Sequence, residues 1–274
     1  MDTTDFEAME RNGWADPSIA KTYADAFSNA TEQVARDLAV SVRAGRGQHV
    51  LDLCCGHGVV SAELVARGAE VTGLDFSPVM VSLAEARVPE AMFIQGDAMS
   101  MAFADASFDA VTIGFGVPHL PDPAKGLAEA ARVLKPGGRL AFSIWYGSGH
   151  PGAFGWLFEA FARHGDPSVP IPDGPDAHQL VDRMLAEDMV GEAGFVAIEV
   201  TDVPSEMVVT DPQDLFDVFY KGAVRAAERF AGQTQAVRDA VQQELADRTR
   251  ADGREVEAGW AVQSPSVVVS AVRQ

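Results

Sequence analysis

Hydrophobic positions along residues 48–146 switch repeatedly between two spacings. Short apolar runs such as HVLDL (49–53) predict buried strands, and the segments between them carry apolar residues at helical spacing. Ser77 and Pro78 suit the N-cap and the first turn of one such helix. The predicted strands are 49–53, 69–75, 91–95, 108–115 and 139–146, and the predicted helices are 58–67, 78–87 and 123–134. This alternation indicates an α/β fold, a parallel sheet with helices on both faces.

The flanking segments have a different pattern. Apolar residues recur at helical spacing over 14–45, and residues 147–176 are rich in Gly and Pro around the aromatic segment FGWLFEAF. We expect one domain over 1–274, with helices inserted near 150–175 and 211–250. The other predicted elements are a helix at 178–191, a strand at 195–203, one or two helices over 211–250 and a strand at 266–272.

Composition narrows the class of protein. The 274 residues are 47% hydrophobic and 22% charged, which is typical of globular chains, and the net charge is −19. Such an acidic surface repels nucleic acid and anionic lipid, so neither is an expected partner. No apolar run approaches the roughly 20 residues that span a bilayer, and MDTTDFEAME lacks the pattern of a signal peptide. We therefore expect a cytoplasmic protein.

Three polar strand ends carry the candidate chemistry. The segment VLDLCCGHG (50–58) places a glycine turn between a strand and a helix, where backbone amides can approach a ligand closely. Asp75 ends the next strand, 23 residues after Asp52, and such a carboxylate can accept hydrogen bonds from both hydroxyls of a ribose. Asp97 follows the third strand and can accept from an adenine amino group. Together they predict a site for an adenosine-type ligand.

Each of these features also has a purely structural explanation. A tight strand-to-helix turn needs glycine even without a ligand, and the pair Gly96-Asp97 is typical of a turn. Asp75 could cap the helix that follows it. Ser77 suits that capping role better, which leaves Asp75 free for a ligand.

Two other ligand classes fit less well. A dinucleotide dehydrogenase also uses a glycine turn and an acidic strand end, but Ser61 replaces the third glycine of G-x-G-x-x-G here. That alternative also leaves Asp97 unexplained. A metal site at Cys54, Cys55 and His57 is disfavoured, because the side chains of adjacent cysteines converge poorly with a residue two further on. We expect no bound metal.

Three stretches of the chain resemble the class I S-adenosylmethionine-dependent methyltransferases, in particular the small-molecule group that includes the ubiquinone/menaquinone C-methyltransferases. They are VLDLCCGHGVVSAELVARGAEVTGLDFSPVM, QGDAMSMAFADASFDAVTIGFGV and LAEAARVLKPGGRLAFSIW. The resemblance implies a Rossmann-like seven-stranded sheet in the order 3-2-1-4-5-7-6, with strand 7 antiparallel. It also divides the single domain into N-terminal helices (1–47), a cofactor-binding core (48–146) and insertions that form a substrate cap (147–177 and 204–258).

The resemblance implies S-adenosyl-L-methionine as the cofactor, and it implies which residues bind it. Cys54 stands where the family has its first glycine, and we expect a thiol to be tolerated there if its backbone is not left-handed. The implied cofactor-binding residues are Asp52 before the glycine turn, Cys54, Cys55, Gly56 and Gly58 around the methionine part, Asp75 at the ribose, Phe76 and Met80 beside the adenine, Asp97 and Ala98 at its edge, Phe115 near the transferred methyl group, and Tyr23 over the cofactor carboxylate.

The acceptor side is less defined. Methyl transfer from a sulfonium is an in-line displacement, so a base is required only when the acceptor must lose a proton. His119, after the fourth strand, is the candidate catalytic base; a loop histidine, exposed or capping the helix near Pro123, explains it equally well. Trp145, Tyr146 and His150 are the candidate substrate-binding residues.

The predicted reaction is methyl transfer to an O, N or C atom of a small, partly apolar molecule. Pro118-His119 replaces the Arg-Asn pair of the quinone enzymes, so a quinone is not specifically expected. A homodimer is the one protein partner that we consider. The alternative function keeps the cofactor pocket without methylation, either for binding alone or for another reaction of a bound substrate.

Overall fold

The computed structural model describes residues 3–274, so the first two residues of the predicted segment 1–47 lie outside the described residues. The strands, in chain order, are β1 (His49–Leu53), β2 (Glu70–Asp75), β3 (Met92–Gln95), β4 (Phe108–Ile113), β5 (Leu134–Trp145), β6 (Phe195–Val203), β7 (Glu206–Val209), β8 (Arg254–Val256), β9 (Gly259–Gln263) and β10 (Ser266–Arg273). The helices are α1 (Thr4–Ala15), α2 (Pro17–Ser41), α3 (Val59–Ala66), α4 (Pro78–Arg87), α5 (Pro123–Val133), α6 (Ala153–His164), α7 (Arg183–Glu192), α8 (Asp214–Gly222), α9 (Val224–Ala231) and α10 (Gln235–Asp252), with short 3₁₀ turns at Val117–His119 and Gln179–Val181.

A seven-stranded sheet runs in the order β3-β2-β1-β4-β5-β10-β6. β1 pairs in parallel with β2 and β4, β2 with β3, and β4 with β5, whereas β10 is antiparallel to β6. The predicted strand order and the antiparallel strand are therefore confirmed. Val50, Leu51 and Leu53 of β1 are fully buried, as a central parallel strand covered on both faces requires.

The strand order reverses between β1 and β4. Because crossover connections are right-handed, α3 and α4 lie on one face of the sheet and α5 lies on the other. α4 begins as predicted, with Pro78 in its first turn and the Ser77 Oγ accepting a hydrogen bond from Met80 N at 3.2 Å. In open α/β sheets, ligands bind beyond the carboxyl ends of the strands at such a reversal.

The described chain divides into two compact units. The sheet unit comprises Thr31–Ile144, Gly174–Val203 and Ser266–Gln274, and it contains the seven-stranded sheet. The helical unit comprises the residues up to Ala30 together with Trp145–Asp173 and Pro204–Pro265. It contains α1, α6, α8, α9 and α10, the first part of α2, and a three-stranded antiparallel sheet in the order β7-β9-β8.

Aromatic rings and ion pairs between elements hold the helical unit together. Phe154 on α6 and Phe219 on α8 meet edge to face with ring centroids 5.0 Å apart, and Phe27 on α2 packs against both. The buried carboxylate of Glu10 on α1 accepts a hydrogen bond from Arg225 Nε at 2.9 Å, which joins α1 to α9. Across residues 3–274, every helix is too short or too polar to span a bilayer.

Several predicted elements differ from the structure. The predicted helix 178–191 begins only at Arg183, because Asp182 is its N-cap. The Oδ1 of Asp182 accepts hydrogen bonds from Met184 N and Leu185 N. The region 211–250 contains α8, α9 and most of α10 instead of one or two helices. The sheet of β7, β9 and β8 was not predicted, since strands of three to five residues carry too little periodicity to be recognised.

Candidate functional site

The glycine turn (residues 54–58) joins β1 to α3, and three of its five residues have a left-handed backbone conformation. The angle φ is 57° at Cys54, 51° at Gly56 and 82° at Gly58. A Cβ built at Gly58 would lie 3.2 Å from Ala84 Cα, so glycine is needed there, whereas one built at Gly56 meets nothing within 4 Å. Cys54 adopts the left-handed backbone that our expectation for a thiol excluded. The condition under which we expected a thiol to be tolerated is therefore not met, and the residue carries strain of about 1 kcal/mol.

Asp75 ends β2 and is already engaged. Its Oδ2 accepts a hydrogen bond from Gly56 N and its Oδ1 accepts one from Ser77 N, both at 2.9 Å. The prediction that Ser77, and not Asp75, caps α4 is confirmed, although Asp75 also holds these two amides. Burial raises the pKa of Asp75 above its ordinary 3.8, while the two amides act in the opposite direction. Asp75 thus fixes the glycine turn, and its oxygens keep further lone pairs for a ligand.

Asp52 lies beneath the glycine turn and is fully buried. Its Oδ2 accepts a hydrogen bond from Ser61 Oγ at 2.6 Å, and its Oδ1 accepts one from Thr112 Oγ1 at 3.1 Å. Burial raises the pKa of Asp52 to about 6, to which the charge of Asp75 contributes, while the two hydroxyls lower it. Sequence reasoning missed both hydroxyls, because they meet Asp52 only once α3 and β4 have packed against β1.

The ends of β2 and β3 lie side by side. Gln95 Nε2 donates a hydrogen bond to the carbonyl oxygen of Phe76 at 3.0 Å. Asp97 lies in a turn, as its structural explanation predicts. Its Oδ1 accepts a hydrogen bond from Met99 N at 2.8 Å. Met80 and Ala98 are buried, and Phe76 and Asp97 are half-buried. Phe76, Asp97 and Ala98 therefore lie just beyond the neighbouring ends of β2 and β3, whereas Met80 lies in the first turn of α4.

Carboxylates and thiols converge on the glycine turn. Burial raises the pKa of the Cys54 thiol well above its ordinary value, and the charges of Asp75, Asp52 and Asp97 add to this effect. Burial likewise raises the pKa of Cys55. Both thiols are therefore neutral near pH 7.

The two thiols contact different elements. Cys54 Sγ lies 3.0 Å from the Cβ position of Gly116 after β4, and Cys55 Sγ lies 3.1 Å from that of Gly73 on β2. Neighbouring His57 is buried, and burial followed by the charge of Arg87 lowers its pKa to about 4, so its imidazole is neutral at pH 7. Among residues 3–274, no three His, Cys, Asp or Glu side chains form a group that could hold a metal ion.

The chain leaves the sheet after β4 with a strained residue. Phe115 is 5% exposed and has a φ of 59°, and its amide donates a hydrogen bond to Ser143 Oγ on β5 at 3.1 Å. Sequence reasoning missed Ser143, because one serine inside an apolar strand gives no signal of its own.

His119 lies in the 3₁₀ turn that follows and is half-buried. It is close enough for its charge to lower the pKa of Asp75, so it lies on the side of the carboxylates. The cap of α5 is Asp122, whose Oδ1 accepts from Lys125 N at 3.0 Å. The explanation of His119 as a helix cap is therefore wrong.

The remaining predicted residues lie in the helical unit, and each contacts another ring. Trp145 stacks on Phe154 with ring centroids 5.3 Å apart. Tyr146 stacks on His150 at 4.2 Å. Tyr23 lies between the Trp ring of α1 at 5.1 Å and the Phe ring of α2 at 4.8 Å. Ring packing thus accounts for part of the environment of all four residues.

The family described as a methyltransferase domain matches residues 51–142, which run from β1 into β5 and contain the glycine turn and the carboxylates. Residues 51–142 resemble a methyltransferase domain. The resemblance inferred from the sequence is confirmed for this segment. A demethylmenaquinone methyltransferase of Renibacterium salmoninarum is 40% identical over 131 residues, which are 47% of this chain and 54% of the relative. The chain spans about half the length of the curated relatives it matches.

Solved structures resemble the chain well beyond residues 51–142. One is phosphoethanolamine N-methyltransferase 2 of Haemonchus contortus, in complex with phosphomonomethylethanolamine and S-adenosylhomocysteine, with a TM-score of 0.59, 19% identity and coverage of 98% of this chain and 60% of that one. Another is the 4+2 cyclase SpnF, with a TM-score of 0.53, 21% identity and coverage of 88% and 81%. At these identities the likeness shows the fold alone.

Proposed function

We propose that this protein transfers a methyl group from S-adenosyl-L-methionine to an O, N or C atom of a small, partly apolar molecule. The observation that carries the proposal is the group of carboxylates at the ends of β1, β2 and β3 around a left-handed glycine turn. This group lies inside the segment that matches a methyltransferase domain. A dehydrogenase needs no such third carboxylate.

The residues present fit this cofactor. The open space above Gly56 admits a ligand against the backbone. Asp75, held by two amides, keeps lone pairs for ribose hydroxyls. S-adenosyl-L-methionine carries a sulfonium and an ammonium charge, and the buried carboxylates of Asp52 and Asp75 complement them.

Each predicted cofactor-binding residue keeps its role within the proposal. The glycine turn surrounds the methionine part, and Phe115 lies near the methyl group. The adenosine side is formed by Asp75, Phe76, Met80, Asp97 and Ala98. Tyr23 over the cofactor carboxylate stays a prediction.

When bound, the cofactor would supply a sulfonium methyl group, whose carbon an acceptor lone pair attacks in line while the carbon–sulfur bond breaks and S-adenosylhomocysteine leaves. The chain contributes orientation and exclusion of water, which can supply much of the rate enhancement. For a hydroxyl or an acidic carbon, His119 takes the acceptor proton on an imidazole nitrogen. For an amine that is neutral when bound, no base is needed.

The proposed acceptor-binding residues are Trp145, Tyr146 and His150. The segments 147–177 and 204–258 form the proposed substrate cap of a single domain. The relative named demethylmenaquinone methyltransferase makes demethylmenaquinone the first acceptor to test. A cytoplasmic location and a homodimer stay predictions from the sequence.

Two measurements test the proposal. S-adenosyl-L-methionine and S-adenosylhomocysteine should raise the melting temperature of the protein, whereas NAD(H) and NADP(H) should not. A shift with the nicotinamide cofactors alone would favour a dehydrogenase. Incubation with S-adenosyl-L-methionine and a panel of phenols, amines and demethylmenaquinone, followed by mass spectrometry, should then show S-adenosylhomocysteine formed together with a methylated acceptor. Binding without this product across the panel would favour the non-methylating alternative.

A further inference from the structure

The segment that follows β4 is tightly packed on both sides of Phe115. A Cβ built at Gly114 would lie 2.8 Å from Val60 Cγ2 on α3, and one built at Gly116 would lie 2.4 Å from Cys54 Cβ. Only glycine fits these positions without a shift of the neighbouring atoms. The chain on either side of Phe115 is therefore fixed against α3 and against the glycine turn.

Phe115 is held in a conformation that bulky residues avoid. Its φ of 59° is left-handed, which costs energy for a side chain with a Cβ. Regular pairing of β4 with β5 ends at Ile113 and Phe142. Beyond this pairing, Phe115 N donates a hydrogen bond to a side chain, the Ser143 Oγ, at 3.1 Å. Ser143 is fully buried, so no water competes for this bond.

We propose that Ser143 is a positioning residue for methyl transfer. Its hydroxyl holds the Phe115 amide and thereby keeps the segment after β4 against the glycine turn. The inference rests on the proposed function, in which Phe115 lies near the transferred methyl group. Cys54, which Gly116 contacts, is also left-handed at 57°. The contact between Gly116 and Cys54 thus links the strained backbone of Phe115 to that of Cys54. Such strain persists only where the surrounding structure maintains it.

Loss of the hydroxyl has a specific consequence. Without an acceptor, the Phe115 amide is buried with its hydrogen bond lost, and the backbone can relax away from its left-handed conformation. The ring then moves relative to the glycine turn. Contacts to the methyl group change, whereas contacts to the adenosine end, built from β2 and β3, stay in place.

Three variants separate this role from a general loss of stability. Ser143→Ala removes the acceptor, and Ser143→Cys keeps a similar size but offers only a weak sulfur acceptor. Ser266→Ala is the matched control, since Ser266 is another fully buried serine of the same sheet whose Oγ has no hydrogen-bond partner among the described residues. The probes are S-adenosyl-L-methionine and S-adenosylhomocysteine, which differ by the methyl group and its accompanying charge.

Calorimetry on the full chain gives both dissociation constants for each variant, after the melting temperature shows that the variant is folded. We expect Ser143→Ala to weaken S-adenosyl-L-methionine about tenfold, the equivalent of one hydrogen bond, and S-adenosylhomocysteine by less than about threefold. Ser143→Cys should fall between Ser143→Ala and the unmodified protein, and Ser266→Ala should match the latter. If Ser143→Ala does not fold, Ser143→Cys carries the test.

An unchanged ratio of the two dissociation constants overturns the inference, whether both ligands weaken equally or neither weakens. That result leaves the proposed function intact, because the unmodified protein still binds both ligands. If the unmodified protein binds neither ligand, the proposed function fails and the inference fails with it.

Discussion

Asp52→Asn should stabilise the protein near neutral pH, because Asp52 keeps a carboxylate fully buried. Its pKa of about 6, against the ordinary 3.8, means that the folded protein holds this proton more tightly than the unfolded chain does. The stability that this difference provides is complete below pH 3.8 and is lost as the pH rises through about 6. At pH 8 the ionised carboxylate costs about 3 kcal/mol relative to its protonated form.

Asparagine keeps the local hydrogen bonds without the charge. Its Oδ1 can accept from one of the two hydroxyls and its Nδ2 can donate to the other, since Ser61 and Thr112 are each both donor and acceptor. The gain in the free energy of unfolding should therefore roughly double between pH 5 and pH 8, where it reaches about 3 kcal/mol. Cofactor affinity should fall, because a buried negative charge next to a cationic ligand is lost.

Urea unfolding at pH 5, 6, 7 and 8, followed by circular dichroism, measures the free energy of unfolding of Asp52→Asn and of the unmodified protein. Asp109→Asn is the matched control. Burial acts to raise the pKa of Asp109, but hydrogen bonds from Lys135 Nζ and His49 N bring it below 3.8. Asp109 is thus ionised throughout the range, and its replacement should destabilise by a constant amount. An Asp52→Asn variant that is less stable than the unmodified protein at pH 8, or whose gain does not depend on pH, would refute the reasoning.

Three further substitutions test single roles in the site. Asp75→Ala should weaken S-adenosyl-L-methionine at least tenfold by calorimetry, because ribose contacts of roughly 1.5–3 kcal/mol each are lost; unchanged affinity would contradict the assignment. His119→Asn should lower kcat roughly 10²-fold for a hydroxyl acceptor with cofactor affinity little changed, and equal rates from pH 6 to 9 would exclude a base at this position. Cys54→Gly should raise the free energy of unfolding by about 1 kcal/mol in urea, since glycine adopts φ near 57° without strain; a lower urea midpoint would show that thiol packing outweighs that relief.

The central sheet could be predicted because its signals are local. β1 and β6 match the predicted ranges at both ends, since strand-favouring residues such as Val, Ile and Phe and a nearby glycine before each strand define it without reference to the rest of the chain. The cap of α4 by Ser77 is equally local, because donor and acceptor are three residues apart. The carboxylates could be placed at strand ends because parallel strands of one sheet end on the same side.

The features that escaped prediction depend on residues far apart in the chain. Asp75 is bound by Gly56, which lies 19 residues earlier, and Thr112 meets Asp52 across 60 residues. The left-handed backbone of Cys54 follows from the turn as a whole and not from the preference of cysteine. Neither spacing nor composition reports such contacts, because they exist only after the strands have paired.

The position of β10 affects how the protein folds during synthesis as well as how the strands pair in the folded sheet. In the sheet β10 lies between β5 and β6, yet α8, α9, α10 and the three-stranded sheet separate it from β6 along the chain. During synthesis β5 and β6 leave the ribosome long before their shared neighbour and expose unpaired edges until it arrives. Closing so long a loop is slow. The yield of folded protein in a cell therefore depends on whether translation delivers Ser266–Arg273 before two nascent chains pair through those edges.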